Sequence, residues 1–332
     1  MPLYDVGYRS WEGEKASTSL RWLAIAITGV QVAFRSSWLS RTLIVSWIPA
    51  LVFGVGFFAY EQSITQPQLR QFGGRMLILA GASESLVQAA MSDPAEARHE
   101  VWSALLMGFF RYPQAVLMVM VVGIVAPRLI SFDLRNRGYL LYFSRPISIW
   151  EYILGKGAVV CTFLAIITTL PALVLYFIGL GFASESSAVL ATWDLPVRVI
   201  LASLVLWIPT ISVALACSAI TIESRYAAFA WFSVWVVGWV TYFVLSIGDF
   251  ANQMSEVENA GRGDDAEIVA VMSYQSQWEV LSPYHVLGRI QQWVFGLLPE
   301  EAVIVPHVVV LCMVTAFSLF IVHRRIRLRL VA

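Results

Sequence analysis

Long apolar stretches separated by polar segments dominate the chain. Six of them are long enough to cross a membrane, because a hydrocarbon core of about 30 Å requires roughly 20 mostly apolar residues in a helix. They comprise residues 42–60, 113–131, 157–182, 198–222, 226–247 and 303–322. This pattern predicts an all-α integral membrane protein with six transmembrane helices.

The basic residues indicate how the six spans are oriented, because cytoplasmic segments carry an excess of Lys and Arg. With the N-terminus inside, 15 of the 22 basic residues fall on inner segments and 7 on outer ones. We therefore expect both termini in the cytoplasm. The expected regions are a cytoplasmic tail and interfacial helix at 1–41, a transmembrane domain at 42–322 and a basic C-terminus at 323–332.

The segment before the first span, residues 20–34, is apolar but too short to cross. Its large apolar residues share one helical face: Leu20, Leu23, Ile27, Val30 and Phe34. This arrangement favours an amphipathic helix in the inner membrane interface. A helix packed beneath the bundle is the alternative.

Two long outer loops are predicted, at residues 61–112 and 248–302. Arg111, Tyr112 and Pro113 interrupt the apolar pattern ahead of the second span, and we place them at the outer interface. In the second loop, Ser282-Pro283 resembles a helix start, with Pro in the first turn. We expect a short extracytoplasmic helix over 283–297, before span 6.

Composition agrees with a membrane protein and limits the partners. Hydrophobic residues make up 58% of the chain and charged residues 13%, whereas soluble domains have about a quarter charged residues. The net charge is zero, and no basic domain indicates nucleic-acid binding. The cysteines lie far apart inside apolar runs, which indicates packing rather than disulfides or metal binding. Their positions are Cys161, Cys217 and Cys312.

The sequence lacks motifs for nucleotide or zinc chemistry. Gly155-Lys156 is followed by Gly157, and no glycine lies five residues before Gly155, which excludes a Walker A loop. His99-Glu100 is not followed by the second histidine of an HExxH zinc site. The spans contain almost no charge, which weakens an ion-coupled carrier, because such carriers use ionisable groups near mid-membrane.

Span 5 carries a tryptophan stripe, Trp231, Trp235 and Trp239, at every fourth residue. Side chains at this spacing share one face of a helix. The stripe suits a path for an apolar or sugar substrate. Lipid contact or helix packing is the simpler interpretation, and we favour it.

The loop between spans 2 and 3, residues 132–156, carries six charged residues between two long apolar runs. Ser144-Arg145-Pro146 resembles a helix start, with Pro146 in the first turn. The following ISIWEYILGK then predicts a short helix leading straight into span 3. Such a helix is either an interfacial elbow or a docking element for a soluble partner.

This loop resembles that of the permease (membrane) subunits of type-2 ATP-binding-cassette (ABC) exporters. The family pattern is an acidic residue ending span 2, a turn with Gly, a short helix with Pro, and Gly-Lys before span 3. The matching residues are Asp133, Gly138, Pro146, Gly155 and Lys156. The six spans, the N-terminal helix, the apolar segment before span 6 and the opening YDVGYRSWEG also match.

The resemblance implies that the short helix is a coupling helix docked on a separate ABC ATPase subunit. ATP and Mg are then expected on that partner, with no cofactor in this chain. It also implies a second copy or a homologous permease, transport out of the cell, and the bacterial plasma (inner) membrane. The candidate residues of the coupling loop are Asp133, Gly138, Arg145, Pro146, Trp150, Glu151 and Lys156, of which Arg145, Trp150 and Glu151 are expected at the docking surface.

Two other classes of function remain open from the sequence. One is a membrane-embedded enzyme that acts on lipid or cell-wall substrates through its outer loops, to which Asp264-Asp265 is a weak pointer. The other is a membrane scaffold that transports nothing. A neighbouring ATPase gene would favour the exporter over both.

Overall fold

The architecture is helical throughout the described part of the chain. The computed structural model describes residues 20–144, 147–183, 187–259, 277–298 and 303–331, and these contain no strand. Their α-helices are α1 (Arg21–Phe34), α2 (Ser37–Val45), α3 (Ile48–Thr65), α4 (Arg70–Leu79), α5 (Glu84–Ser92), α6 (Arg98–Pro113), α7 (Val119–Val125), α8 (Ser131–Arg135), α9 (Tyr139–Phe143), α10 (Ile149–Leu164), α11 (Leu170–Phe182), α12 (Ser187–Thr192), α13 (Leu195–Ile220), α14 (Ser224–Asn259), α15 (Pro283–Phe295) and α16 (Val305–Val331).

Six helical segments of the described chain are long and apolar enough to cross a membrane, which confirms the predicted number. They are span 1 (Ser37–Thr65), span 2 (Arg98–Arg135), span 3 (Ile149–Phe182), span 4 (Ala188–Ile220), span 5 (Ser224–Ala251) and span 6 (Val305–Leu330). Because successive spans alternate in direction, α1, the loop between spans 2 and 3 and the end of span 6 share one side. We call this the N-terminal side, and the opposite one the far side.

Span 2 begins at Arg98 rather than near residue 113, so Arg111, Tyr112 and Pro113 do not mark the beginning of its helix, and their place at the outer interface stays a prediction. All three lie inside a continuous helical segment. Arg111 Nη1 donates to the carbonyl oxygen of Tyr284 at 2.9 Å, and its guanidinium carbon lies 3.6 Å from the centre of the Tyr284 ring. Because these contacts satisfy the charge, the helix does not have to end there. A π turn, Gln114–Met118, follows Pro113.

The helix before span 6 is present, as the sequence predicted. It runs from Pro283 to Phe295, with Ser282 at the N-cap position and Gly296 closing it at φ 75°. One of its faces is buried among the spans, and Gln291 Nε2 donates to the carbonyl oxygen of Ala202 at 3.2 Å. The helix is therefore wedged into the far end of the bundle rather than laid over its surface.

Spans 5 and 6 are the least covered by the rest of the chain. The buried share of their apolar windows is 11% and 17%, against 33–61% in the other four spans. Spans 2, 3 and 4 thus supply most of the core. The outer faces of spans 5 and 6 are left for lipid or for another protein.

Helix α1 packs tightly against the beginning of span 3. Ile25 and Ala26 are buried in this contact, whereas the predicted apolar face at Leu20, Leu23 and Ile27 is exposed. A Cβ atom on Gly155 would lie 2.8 Å from Ile25 Cβ and 2.9 Å from the backbone oxygen of Trp22. Glycine at position 155 therefore allows the two helices to approach. α1 has a packed face and an exposed apolar face, and its place in the membrane interface stays a prediction.

We expect Gly155→Ala to lower the free energy of unfolding by about 1–3 kcal/mol, the usual cost of overpacking a close contact. Gly138→Ala is the matched control, because its Cβ would meet its nearest neighbour at 3.5 Å, an ordinary contact. The measurement is the thermal-unfolding midpoint of both purified variants in one detergent. Equal midpoints would show that α1 does not depend on this approach.

Candidate functional site

A buried ion pair joins the end of span 2 to the beginning of span 3. Lys156 Nζ lies 2.8 Å from Asp133 Oδ2, and the Tyr152 hydroxyl donates to the same oxygen at 2.7 Å. Asp133 is 8% exposed and Lys156 7% exposed. Tyr152 and Lys156 are four residues apart, so both project from the same face of α10. The structure therefore brings together two residues that the sequence assigned to the coupling loop, and adds Tyr152.

A tight turn ends α8 just after Asp133 and sets the direction in which the loop begins. The Gly138 amide donates to the carbonyl oxygen of Asp133 at 2.8 Å, and Arg137 has a φ of 55°. This is the hydrogen bond of a Schellman motif, in which the residue before the donor is left-handed and usually glycine. Here Arg137 takes that position, while Gly138 has a φ of −60°. Gly138 thus lies in the predicted turn, but its backbone conformation does not require glycine.

The loop contains a short helix, but not where the sequence predicted one. Tyr139–Phe143 forms α9, and Ser144 follows as its C-cap instead of starting the next helix. Span 3 begins at Ile149 with Ser148 as its N-cap, and WEYILGK belongs to its first turns. Arg145 and Pro146 lie outside the described residues.

Glu151 has a structural role at the start of span 3. Its carboxylate accepts from the Ser148 amide at 2.7 Å, and its own amide donates to Ser148 Oγ at 3.2 Å. These reciprocal bonds form a capping box, which satisfies amides that the first helical turn leaves free. The capping box explains why the helix starts at this point.

On the N-terminal side of the protein, the loop between spans 2 and 3 exposes apolar side chains. Leu141 is 76% exposed, and Trp150 is 52% exposed with its ring stacked on His323 at a centroid distance of 5.3 Å. Leu140 and Leu154 are exposed as well. The loop therefore exposes several apolar side chains, and one of them, Trp150, contacts the end of span 6.

The tryptophan stripe of span 5 divides into three environments. Trp231 is buried and its indole donates to the carbonyl oxygen of Val119 at 2.9 Å. Trp235 packs edge-on against Trp231, and both line an apolar cavity of about 130 Å³ together with Thr210. Trp239 is exposed and stacks on Phe243. The stripe thus does not form one continuous wall, and its part in a substrate path stays a prediction.

The far side holds polar contacts that the sequence reasoning missed. Glu61 lies 3.3 Å from Arg98 Nε and accepts from the Trp102 indole at 3.0 Å, and all three residues are buried. Asp194 lies within 3.0 Å of His99 and 2.6 Å of Arg198. These partners are distant in sequence apart from Asp194 and Arg198, whose i,i+4 spacing was the one available signal.

His285 is a second feature of the far side. Its ring stacks on Tyr242 at a centroid distance of 3.7 Å. Burial, and secondarily the positive charge of Arg111, lowers the pKa of His285 to about 4. The imidazole is therefore neutral near pH 7.

The fold and this loop define a class, a multi-pass helical membrane protein whose second and third spans are joined by an ion-paired loop. The family model for ABC-2 family transporter proteins matches residues 23–323, and the chain belongs to that family. A comparison with curated proteins gave no significant match. The chain is therefore the membrane permease component of an ABC transporter, which confirms the resemblance inferred from the loop.

We expect Lys156→Met to destabilise the fold by about 3–5 kcal/mol, because it leaves Asp133 buried without its counter-charge. The double variant Asp133→Asn with Lys156→Met should lose less than the sum of the single changes. The measurement is the unfolding free energy of the three variants.

The matched control for this cycle is the exposed pair Glu223–Arg225, at 2.6 Å on the same side. Glu223→Gln should cost at most about 1 kcal/mol, because water screens an exposed pair. Additive effects at positions 133 and 156 would mean that the two charges do not depend on each other.

The pKa of His285 predicts a pH dependence. The unfolded chain takes up a proton below pH 6.5, whereas folded His285 stays neutral down to about 4. Stability should therefore fall as the pH decreases from 6.5 towards 4. His285→Phe keeps an aromatic ring on Tyr242 without a titrating group, and its unfolding midpoint should fall less over the same range. Parallel curves for the two proteins would refute this assignment.

Proposed function

We propose that the chain is the membrane subunit of an ATP-driven exporter, and that the loop between spans 2 and 3 receives force from a separate ABC ATPase. The observation that carries this proposal is the buried Asp133–Lys156 pair beneath an exposed apolar loop. A loop that only connected two spans would not need a charge pair inside the protein. A loop under load benefits from one, because the pair resists separation of spans 2 and 3.

The proposed contact surface consists of Leu140 and Leu141 of α9, together with Trp150. Arg145 is retained as a member from the sequence pattern. A half-exposed tryptophan is typical of the anchors of protein interfaces, and the exposed leucines of α9 add apolar surface that a partner could cover. Glu151 is assigned to capping of span 3 in addition to any contact with the ATPase.

Movement of the loop would pass into whole spans. Span 3 continues as one helical segment from Ile149 to Phe182, and the pair connects its beginning to span 2. ATP-driven closure of the ATPases would displace α9 and tilt these spans together, a rigid-body change typical of transporters. ATP and Mg would be bound by the ATPase.

The location of the protein, its orientation and a second permease are proposed from the family and from the charge pattern. We place the protein in a bacterial plasma membrane with both termini in the cytoplasm, where the arginines after span 6 would lie. A second permease, identical or homologous, would complete the transporter. The sparsely covered spans 5 and 6 offer it apolar surface.

Transport explains the far side better than catalysis does. Two acidic residues of the far side, Glu61 and Asp194, form ion pairs with basic side chains. Such pairing is expected for structural groups at a membrane boundary. Asp264-Asp265, the weak pointer to an enzyme, lies outside the described residues. Family membership likewise favours a permease over a scaffold.

The test is co-purification of the tagged permease with the ABC ATPase encoded beside its gene. We expect Leu141→Glu to reduce ATPase recovery about tenfold or more, equivalent to about 1.4 kcal/mol, because a charge would replace a buried apolar contact. Trp150→Ala and Arg145→Glu should also reduce it.

The matched control is Ile78→Glu, which alters another exposed apolar residue in α4 on the far side, where Ile78 is 65% exposed. It should leave ATPase recovery unchanged. The thermal midpoints of Leu141→Glu and Ile78→Glu should stay at that of the unaltered protein, because both side chains are largely exposed. Full recovery of the ATPase with Leu141→Glu and Trp150→Ala would place the coupling surface elsewhere.

A further inference from the structure

A cavity of about 510 Å³ opens at the N-terminal side, beside the ion pair. Its walls come from α1 and the segment after it, from Leu39 of span 1, from the end of span 2, from Tyr142 of α9 and from Lys156 of span 3. It therefore lies at the end of the bundle on the N-terminal side, where we expect the boundary of the membrane. We call it the boundary cavity. Neither the transport function nor the ATPase contact accounts for it.

Two arginines give the boundary cavity a positive charge. Arg35 follows α1 and Arg128 lies near the end of span 2, and both line the cavity and are exposed. Within the described ranges, neither guanidinium has a carboxylate within 4.0 Å. Asp133 also lines the cavity, but its charge is matched by Lys156. Two positive charges thus remain for an anion.

The rest of the lining is mostly apolar. Ile25, Leu39 and Leu129 are buried in the wall, while Val32 and Phe132 are 57% and 59% exposed at the cavity. A small inorganic anion would leave these apolar side chains uncovered. A ligand with a phosphate at one end and a hydrocarbon chain at the other would satisfy both parts of the lining.

We propose that the boundary cavity binds one anionic phospholipid from the adjacent leaflet. Its phosphate would lie between Arg35 and Arg128, because guanidinium groups bind phosphate through paired hydrogen bonds. One acyl chain would cover Val32 and Phe132. Basic pockets between membrane helices suit such headgroups, and the bilayer supplies this ligand at high local concentration. The lipid would hold α1 against span 2.

The test uses the purified full-length permease without any ATPase, so its result is independent of the proposed coupling. Thermal-unfolding midpoints are measured in mixed micelles that contain dioleoylphosphatidylglycerol or dioleoylphosphatidylcholine. We expect the anionic lipid to raise the midpoint at lower concentrations than the zwitterionic lipid. The double variant Arg35→Gln with Arg128→Gln should need about tenfold more of the anionic lipid, the factor that corresponds to about 1.4 kcal/mol.

Arg41→Gln with Arg135→Gln is the matched control, because it removes two exposed arginines on the N-terminal side that do not line the cavity. It should keep the response of the unaltered protein. Thr28→Trp, at an exposed position of the lining, should abolish the preference while both arginines remain. This variant tests the cavity even when the arginine variant does not fold.

Three results would overturn the proposal. The first is an equal response to the two lipids. The second is an equal loss of the preference in the control pair, which would indicate general attraction to surface charge. The third is the same stabilisation by inorganic phosphate alone, which would indicate a small-anion site.

Discussion

The pair between Asp133 and Lys156 is the contact on which the N-terminal side of the protein depends. Removing two charges from water costs several kcal/mol per ion, and their attraction offsets this only when the geometry is good and the remaining polar atoms are bonded. Tyr152 supplies that additional hydrogen bond. Because the pair tolerates little displacement, it limits the positions that the end of span 2 and the beginning of span 3 can adopt. The positions that the connecting loop can adopt are therefore limited as well.

The far side follows the same rule with different residues. A charge near hydrocarbon is acceptable only when a partner is built in, and Glu61, Asp194 and Arg111 each have one. The partners of Arg111 and Asp194 include residues from other spans or from α15, so satisfying a charge also packs helices together. In a bilayer, the need to pair each charge therefore brings helices into contact at both ends of the bundle.

The sequence sufficed for the features that depend on local pattern. Apolar length predicted six spans, and Ser282-Pro283 predicted the start of α15. Features that depend on distant partners were missed. Arg111 interrupts the apolar pattern, and its contact with Tyr284, 173 residues away, has no signal in the local sequence. The sequence offers two helix starts, Ser144-Arg145-Pro146 and Ser148 with Glu151, and span 3 begins at the second, where a capping box forms. The family pattern indicates Asp133 and Lys156, but it does not show how close their side chains lie in the fold.

Residues 150–156 concentrate the contacts through which a force on the loop would spread. Within two turns of one helix, Trp150 contacts span 6, Tyr152 and Lys156 hold span 2, and Gly155 admits α1. A helix that is fixed on three sides cannot rotate or shift without moving its neighbours. A load on α9 would therefore not be absorbed by bending of a single span, and would move together, as one unit, the ends of spans 2, 3 and 6 that lie on the N-terminal side. Such a unit would suit the coupling proposed above, in which a separate ABC ATPase acts on the loop from outside the membrane.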